Sequence, residues 1–192
     1  MNDTLDWQRI RHLLKIGILA SLMVLTGDML LGWGVSDPSV TNLPAVFTRY
    51  LSVSDGRIIV SALLGLIGIP IECLCWFAIY RMMKPFSEKD AHATAIQEML
   101  CFIGWFLLPV TVIFLVFFLL AAVVQIRAFS KGHTPLPRRC WVFSVLFGFV
   151  FAVVMRLIGN YGLTNALATG WISIGNLWMM SGLLSASRKV GK

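Results

Sequence analysis

The sequence predicts an all-α fold, a polytopic transmembrane helix bundle of five spans with six as the alternative. Three observations carry that reading. Hydrophobic residues make up 58% of the 192 positions and charged residues only 13%, about half the charged share of an average soluble domain. Apolar runs of about 20 residues recur, each matching a hydrocarbon core of about 30 Å at about 1.5 Å per residue. The basic residues fall at the ends of those runs rather than on one face, the pattern of loop charges that fix topology. The net charge of +7 therefore points to anionic headgroups of a lipid bilayer, not to nucleic acid.

The chain reads as one transmembrane domain over residues 1–192. Residues 1–12 are polar, with Trp7 placed at headgroup level. The first span covers about 13–34 and follows Arg9, Arg11 and Lys15. It is too long for a signal-peptide core and leaves through Gly32-Trp33-Gly34 without a cleavage signature, so it reads as an uncleaved anchor. A loop with Asp37-Pro38 and Asn42-Leu43-Pro44 follows, with room for a short surface helix around Ala45 to Leu51. The second span, about 57–80, closes on Arg81, Lys84 and Pro85. Residues 86–98 are charged and helix-compatible. A very apolar stretch at about 99–125 contains Pro109 and five phenylalanines and reads as a third span, one long helix kinked at the proline. After the basic loop 126–140, spans at about 141–158 and 165–185 lead to the tail Arg188, Lys189 and Lys192.

Five spans conflict with the charges. The N-terminal segment, the 81–89 loop, the 127–139 loop and the tail are all rich in Lys and Arg, and placing all four on the cytoplasmic side requires an even number of crossings. The extra crossing has to lie between Arg81 and Arg127, yet only about ten apolar residues precede Pro109, too few to span.

Gly27-Asp28-Met29-Leu30-Leu31-Gly32, Leu64-Gly65-Leu66-Ile67-Gly68-Ile69-Pro70, Thr134-Pro135-Leu136-Pro137-Arg138-Arg139-Cys140-Trp141 and Ile174-Gly175-Asn176-Leu177 are similar to motifs of an uncharacterised family of bacterial multi-pass integral membrane proteins. The resemblance covers most of the chain. It implies a multi-pass protein of the bacterial inner membrane with no assigned activity. It also implies that this chain is shortened by one helix, since members usually carry an additional, histidine-bearing helix between the second span and the span before the Pro-Arg loop.

Helical spacing lines up small and polar residues on four spans: Gly17, Ser21, Val24, Asp28 and Gly32; Ser61, Gly65, Gly68, Glu72 and Cys75; Ser144, Gly148, Ala152, Arg156 and Asn160; and Asn165, Thr169, Ser173 and Asn176. Small residues let helices approach in lipid, and polar ones hydrogen-bond across the seam. The stripes read either as packing seams or as the lining of a polar interior. An intramembrane carboxylate or guanidinium is costly and is by default a candidate functional group, so Asp28, Glu72, Arg156, Asn160 and Asn176 form the candidate ligand-binding site. Arg156 is expected to pair with Glu72 on the five-span count and with Asp28 on the six-crossing count.

No catalytic set, cofactor or metal site is offered. His12, His92 and His133 lie outside the apolar cores, and Cys73, Cys75, Cys101 and Cys140 form no C-x-x-C pair and read as small buried hydrophobes. Phe114, Phe117 and Phe118 are expected to face lipid. Trp7, Trp33, Trp76, Trp141 and Tyr161 read as interfacial anchors, and Trp171 and Trp178 as core. The favoured function is binding or transport of a small molecule or lipid in the polar interior. The alternatives are an intramembrane lipid-modifying enzyme using Asp28 or Glu72 as its acid-base group, and a non-catalytic scaffold or immunity-type protein. Oligomeric state is not legible.

Overall fold

A computed structural model describes residues 5–37, 39, 48–107 and 111–190, without the side chains of 97, 98, 101–107, 111–115 and 117. All regular structure among them is helical, with no strand. Helix α1 runs Trp7–Gly32, starting six residues before the expected span because the Asp6 carboxylate caps it by accepting from the Arg9 N–H at 2.9 Å. A 3-10 turn at Arg49–Ser52 stands at the end of the following loop; the rest of the surface helix expected around Ala45 lies outside the described residues. Helix α2 (Asp55–Cys75) is separated from α3 (Phe77–Met83) by a single turn residue, Trp76. Trp7–Gly32 and the stretch Asp55–Met83 are long and apolar enough to cross a membrane.

The segment around Pro109 differs from expectation. Two helices flank it, α4 (Glu88–Leu107) and α5 (Thr111–Lys131), and they pack along each other. His133, just past the end of α5, reaches back to Asp90 in the first turn of α4 at 2.6 Å. In one continuous helix these residues, 43 positions apart, would be separated by about 65 Å. The pair is a hairpin, not a kinked helix. Pro109 itself lies outside the described residues. The expectation failed because the charged residues before Met99 belong to the helix: α4 has 20 residues, about 30 Å, rather than ten. Ala91 and Thr94 are buried, so its polar half is packed against the body of the protein.

A 3-10 turn (Arg138–Val142), α6 (Leu146–Ile158), α7 (Gly162–Thr169) and α8 (Trp171–Val190) complete the chain. Helix α1 lies between α2 and α8, and α6 packs on α7 and α8. The α6–α8 approach is backbone on backbone: a Cβ at Gly148 would overlap the Trp171 carbonyl oxygen and lie 2.7 Å from the Gly175 nitrogen. Small residues at both positions therefore set the helix spacing, as the stripe through Ser144, Gly148 and Ala152 implied for Gly148.

One end of the bundle collects Ile10, Met83, Phe129, Leu136 and Leu183 into a common core, and there Arg11 donates to the Ser187 carbonyl at 2.9 Å. At the far end Arg57 donates to the carbonyls of Leu30 (2.8 Å) and Trp33 (2.7 Å), which satisfies acceptors left open at the C-terminus of α1. Asn160 and Asn165 tie the same end to the Ser36 backbone and the Gly34 carbonyl.

Several aromatic assignments change. Phe118 is buried, with its ring edge-on to Trp171 at 4.9 Å, and does not face outward. Trp76 is buried rather than presented at the surface as an interfacial anchor, and Trp178 is exposed, donating to the Val142 carbonyl at 2.9 Å. The side chains of Phe114 and Phe117 lie outside the described residues. Cys75 and Cys140 are free and buried, and Cys73 is half-buried; the side chain of Cys101 is not described.

Candidate functional site

Three of the stripes meet at a cavity of about 350 Å³ between α1, α2 and the α7–α8 pair. Its walls are mostly apolar, formed by residues such as Leu31, Ile69, Phe118 and Ile172, and its polar groups come from the predicted positions: Asp28, Ser61, Glu72, Thr169, Ser173 and Asn176. The volume falls within the range of small-ligand sites, and a few convergent polar groups on an apolar wall are their usual composition.

The polar side chains sit on rungs. Ser173 donates to the Asp28 carboxylate at 2.9 Å, and Ser21, fully buried on α1, donates to the Glu72 carboxylate. Asn176 lines the cavity beside Glu72, and its Oδ1 is buried without a partner. A buried amide oxygen left unsatisfied costs stability, so this atom marks a position where a donor is missing. Each rung joins different helices, and along one helix the rung residues recur at helical spacing, Ser173 and Asn176 three apart and Ser21 and Asp28 seven apart, which is why a period read from the chain alone could find them.

Asp28, Glu72 and Asn176 are thus brought together. Arg156 and Asn160 are not. Arg156 is exposed in the last turn of α6, and among the described residues the ion pair formed is His133–Asp90, so the expected pairing of Arg156 with a carboxylate is absent. The reason is geometric: α6 ends at Ile158, and its buried residues, Gly148 and Ala152, lie toward its start, after the buried Ser144. Asn160 lies in the loop beyond it. Its Oδ1 accepts from the Ser36 N–H at 3.0 Å and the Asn165 amide at 2.7 Å, which gives it a role in closing the far end.

One side chain behind the cavity wall, in contact with its Thr169, was not anticipated. Arg49 is 3% exposed and donates to the Thr169 hydroxyl at 3.0 Å. It stands in a loop, where no helical period draws attention to it. A second cavity, about 400 Å³, lies between α2, α3 and α4, lined by residues such as Pro70, Leu74, Phe77 and Ile96, and meets the first at Cys73 and Trp76. It is apolar and offers shape without directed chemistry.

The fold and site together define an all-helical bundle of apolar helices around a small cavity that holds two carboxylates. The chain belongs to a Family of unknown function (DUF6796), whose profile matches residues 1–96 and again 87–190. The two matches overlap at the start of α4. No curated protein and no solved structure matches the chain.

Proposed function

We propose that this is a six-crossing integral membrane protein, in the cytoplasmic membrane of a bacterium, that binds or transports a small molecule or lipid headgroup in the cavity of Asp28 and Glu72. The hairpin of α4 and α5 supplies the crossing that the charge pattern requires. With it, the N-terminus, the 84–90 turn, the 131–140 loop and the C-terminal tail gather at one end, as the Arg11–Ser187 and Asp90–His133 contacts indicate. No crossing is then missing, and the parity conflict needs no lost helix. The resemblance to bacterial multi-pass proteins supports the location.

The single observation that carries the binding reading is that Asp28 and Glu72 line one cavity together with the Asn176 side chain, whose Oδ1 has no partner. Carboxylates kept at such a site are costly in a membrane and are retained for function. Among the described residues lining the cavity there is no histidine to activate a serine or a water, which favours binding over the enzymatic alternative.

The test is co-purification. Protein extracted in mild detergent is analysed for bound small molecules and lipids by mass spectrometry, wild type beside Asp28→Asn. A species enriched with the wild type and lost from the variant is expected. An identical profile from both would sink the reading.

A further inference from the structure

Arg49 has the features of an unfilled half of an ion pair. Its guanidinium donates to the Thr169 and Tyr50 hydroxyls at 3.0 and 3.1 Å and lies 5.0 Å from the Tyr50 ring centroid, while its buried Nε has no partner. Among the described residues it meets no carboxylate: Asp28 is held by Ser173, Glu72 by Ser21 and Asp37 by Ser39, and Asp90 pairs with His133. The loop between Asp37 and Thr48 contains no Asp or Glu. An uncompensated buried guanidinium is strongly destabilising, and no described residue supplies the anion that would balance it.

Its position says where that anion sits. Thr169, which accepts from Arg49, is also part of the cavity wall. Thr169, Ser173 and Asn176 follow one another at spacings of four and three, so they form three successive rungs about 5–6 Å apart. The outer rung holds a cation, Arg49; the middle rung holds the Asp28 carboxylate; the inner rung holds Glu72 with the unsatisfied Asn176 oxygen. Such a ladder complements a molecule with an anion at one end and hydrogen-bond donors next to it.

We propose that Arg49 is the anion-receiving residue of this cavity and that the ligand is a zwitterion, its phosphate or carboxylate on Arg49 and its ammonium one rung deeper on Asp28. A guanidinium presents a planar fork of donors suited to either oxyanion. This rests on the reading of the cavity as a binding site. The zwitterion can be the headgroup of an outer-leaflet lipid or a free solute.

Thermal unfolding of the full chain in detergent distinguishes these, with dihexanoyl phosphatidylethanolamine, O-phosphoethanolamine and dihexanoylglycerol as probes. At saturation a zwitterionic probe raises the wild-type midpoint by about 5 °C or more, and dihexanoylglycerol does not. A shift from the lipid alone assigns a headgroup; a shift from both zwitterions assigns a soluble ligand. Arg49→Gln abolishes the shift, and Arg49→Lys retains part of it. Without ligand, Arg49→Gln melts no lower than wild type, because it removes an unpaired buried charge; a purely structural arginine would give a lower midpoint. If Arg49→Gln fails to fold, the Arg49→Lys titration and competition by inorganic phosphate in wild type decide. Equal protection by dihexanoylglycerol, or undiminished protection of Arg49→Gln, overturns the inference while leaving the cavity a binding site. No shift from any probe overturns the inference as well, and the Asp28-dependent co-purification then shows whether the binding reading falls with it.

Discussion

The imidazole Nδ1 of His133 lies 2.6 Å from the Asp90 carboxylate, joining the end of one helix of the hairpin to the beginning of the other. Burial alone raises the Asp90 carboxyl, but the hydrogen bonds from His133 and Ser87 and the charges of His133 and Arg127 outweigh it and hold it below its ordinary value of 3.8. A carboxyl lowered by folding contributes stability that is fully present above pH 3.8 and is lost as pH falls through the lower folded value. Asp90→Asn should lower the thermal midpoint at neutral pH by about 3 °C, from about 1 kcal/mol. The gap between wild type and variant should narrow below pH 3.8, a trend read by melting both in detergent across pH. A gap that widens in acid would contradict the assignment.

The hairpin also makes a topological prediction. Single cysteines introduced at Lys89 and Lys131 in a cysteine-free background should label with an impermeant reagent from the same face of sealed vesicles, together with one at Arg188. A cysteine at Thr111 should label from the opposite face. Labelling of Lys89 and Lys131 from opposite faces would restore the single kinked helix and the odd number of crossings.

Much of the cavity was legible because the physical constraint has a period. Backbones approach only where small residues recur every three or four positions, so the spacing of Gly17, Ser21 and Asp28, or of Ser61, Gly68 and Glu72, is enough to identify the inward faces. Period fails where it is absent or carried too far. Phe118 lies on a helix apolar all round, so no asymmetry distinguishes its buried side. Arg156 continued a stripe beyond the point where α6 is covered by neighbours. Arg49 belongs to no stripe, and only the folded loop brings it to Thr169. The hairpin was missed because a polar half-helix was not counted toward length, although a single ion pair with His133 allows Asp90 to pack there.

Close approach of α6 and α8 predicts sharp sensitivity at Gly148. Gly148→Ala should destabilise by about 2 kcal/mol or more, since its Cβ would meet the backbone of Trp171 and Gly175, which cannot move aside as a flexible side chain can. Gly56→Ala, where nothing stands within 4 Å, should be neutral or stabilising by up to about 1 kcal/mol. Thermal melts of the two variants side by side give the comparison, and equal midpoints would mean that α6 is not seated on α8 as described.

The placement of Arg156 and Glu72 yields the last prediction. Ser21→Ala removes a fully buried donor from a carboxylate that is itself only 5% exposed, and should cost about 1–3 kcal/mol. Arg156→Gln, on an exposed turn, should change stability by no more than about 0.5 kcal/mol. Because the two sites share no partner, their effects should add, and a cycle of Arg156→Gln with Glu72→Gln should show coupling within about 0.5 kcal/mol. The charge swap sharpens the test. Glu72→Arg places a guanidinium where Ser21 serves a carboxylate, so it should be severely destabilising, and Arg156→Glu should not rescue it. Rescue, or a coupling energy above about 1 kcal/mol, would return Arg156 to the interior beside Glu72 and require α6 to turn its second half toward the cavity.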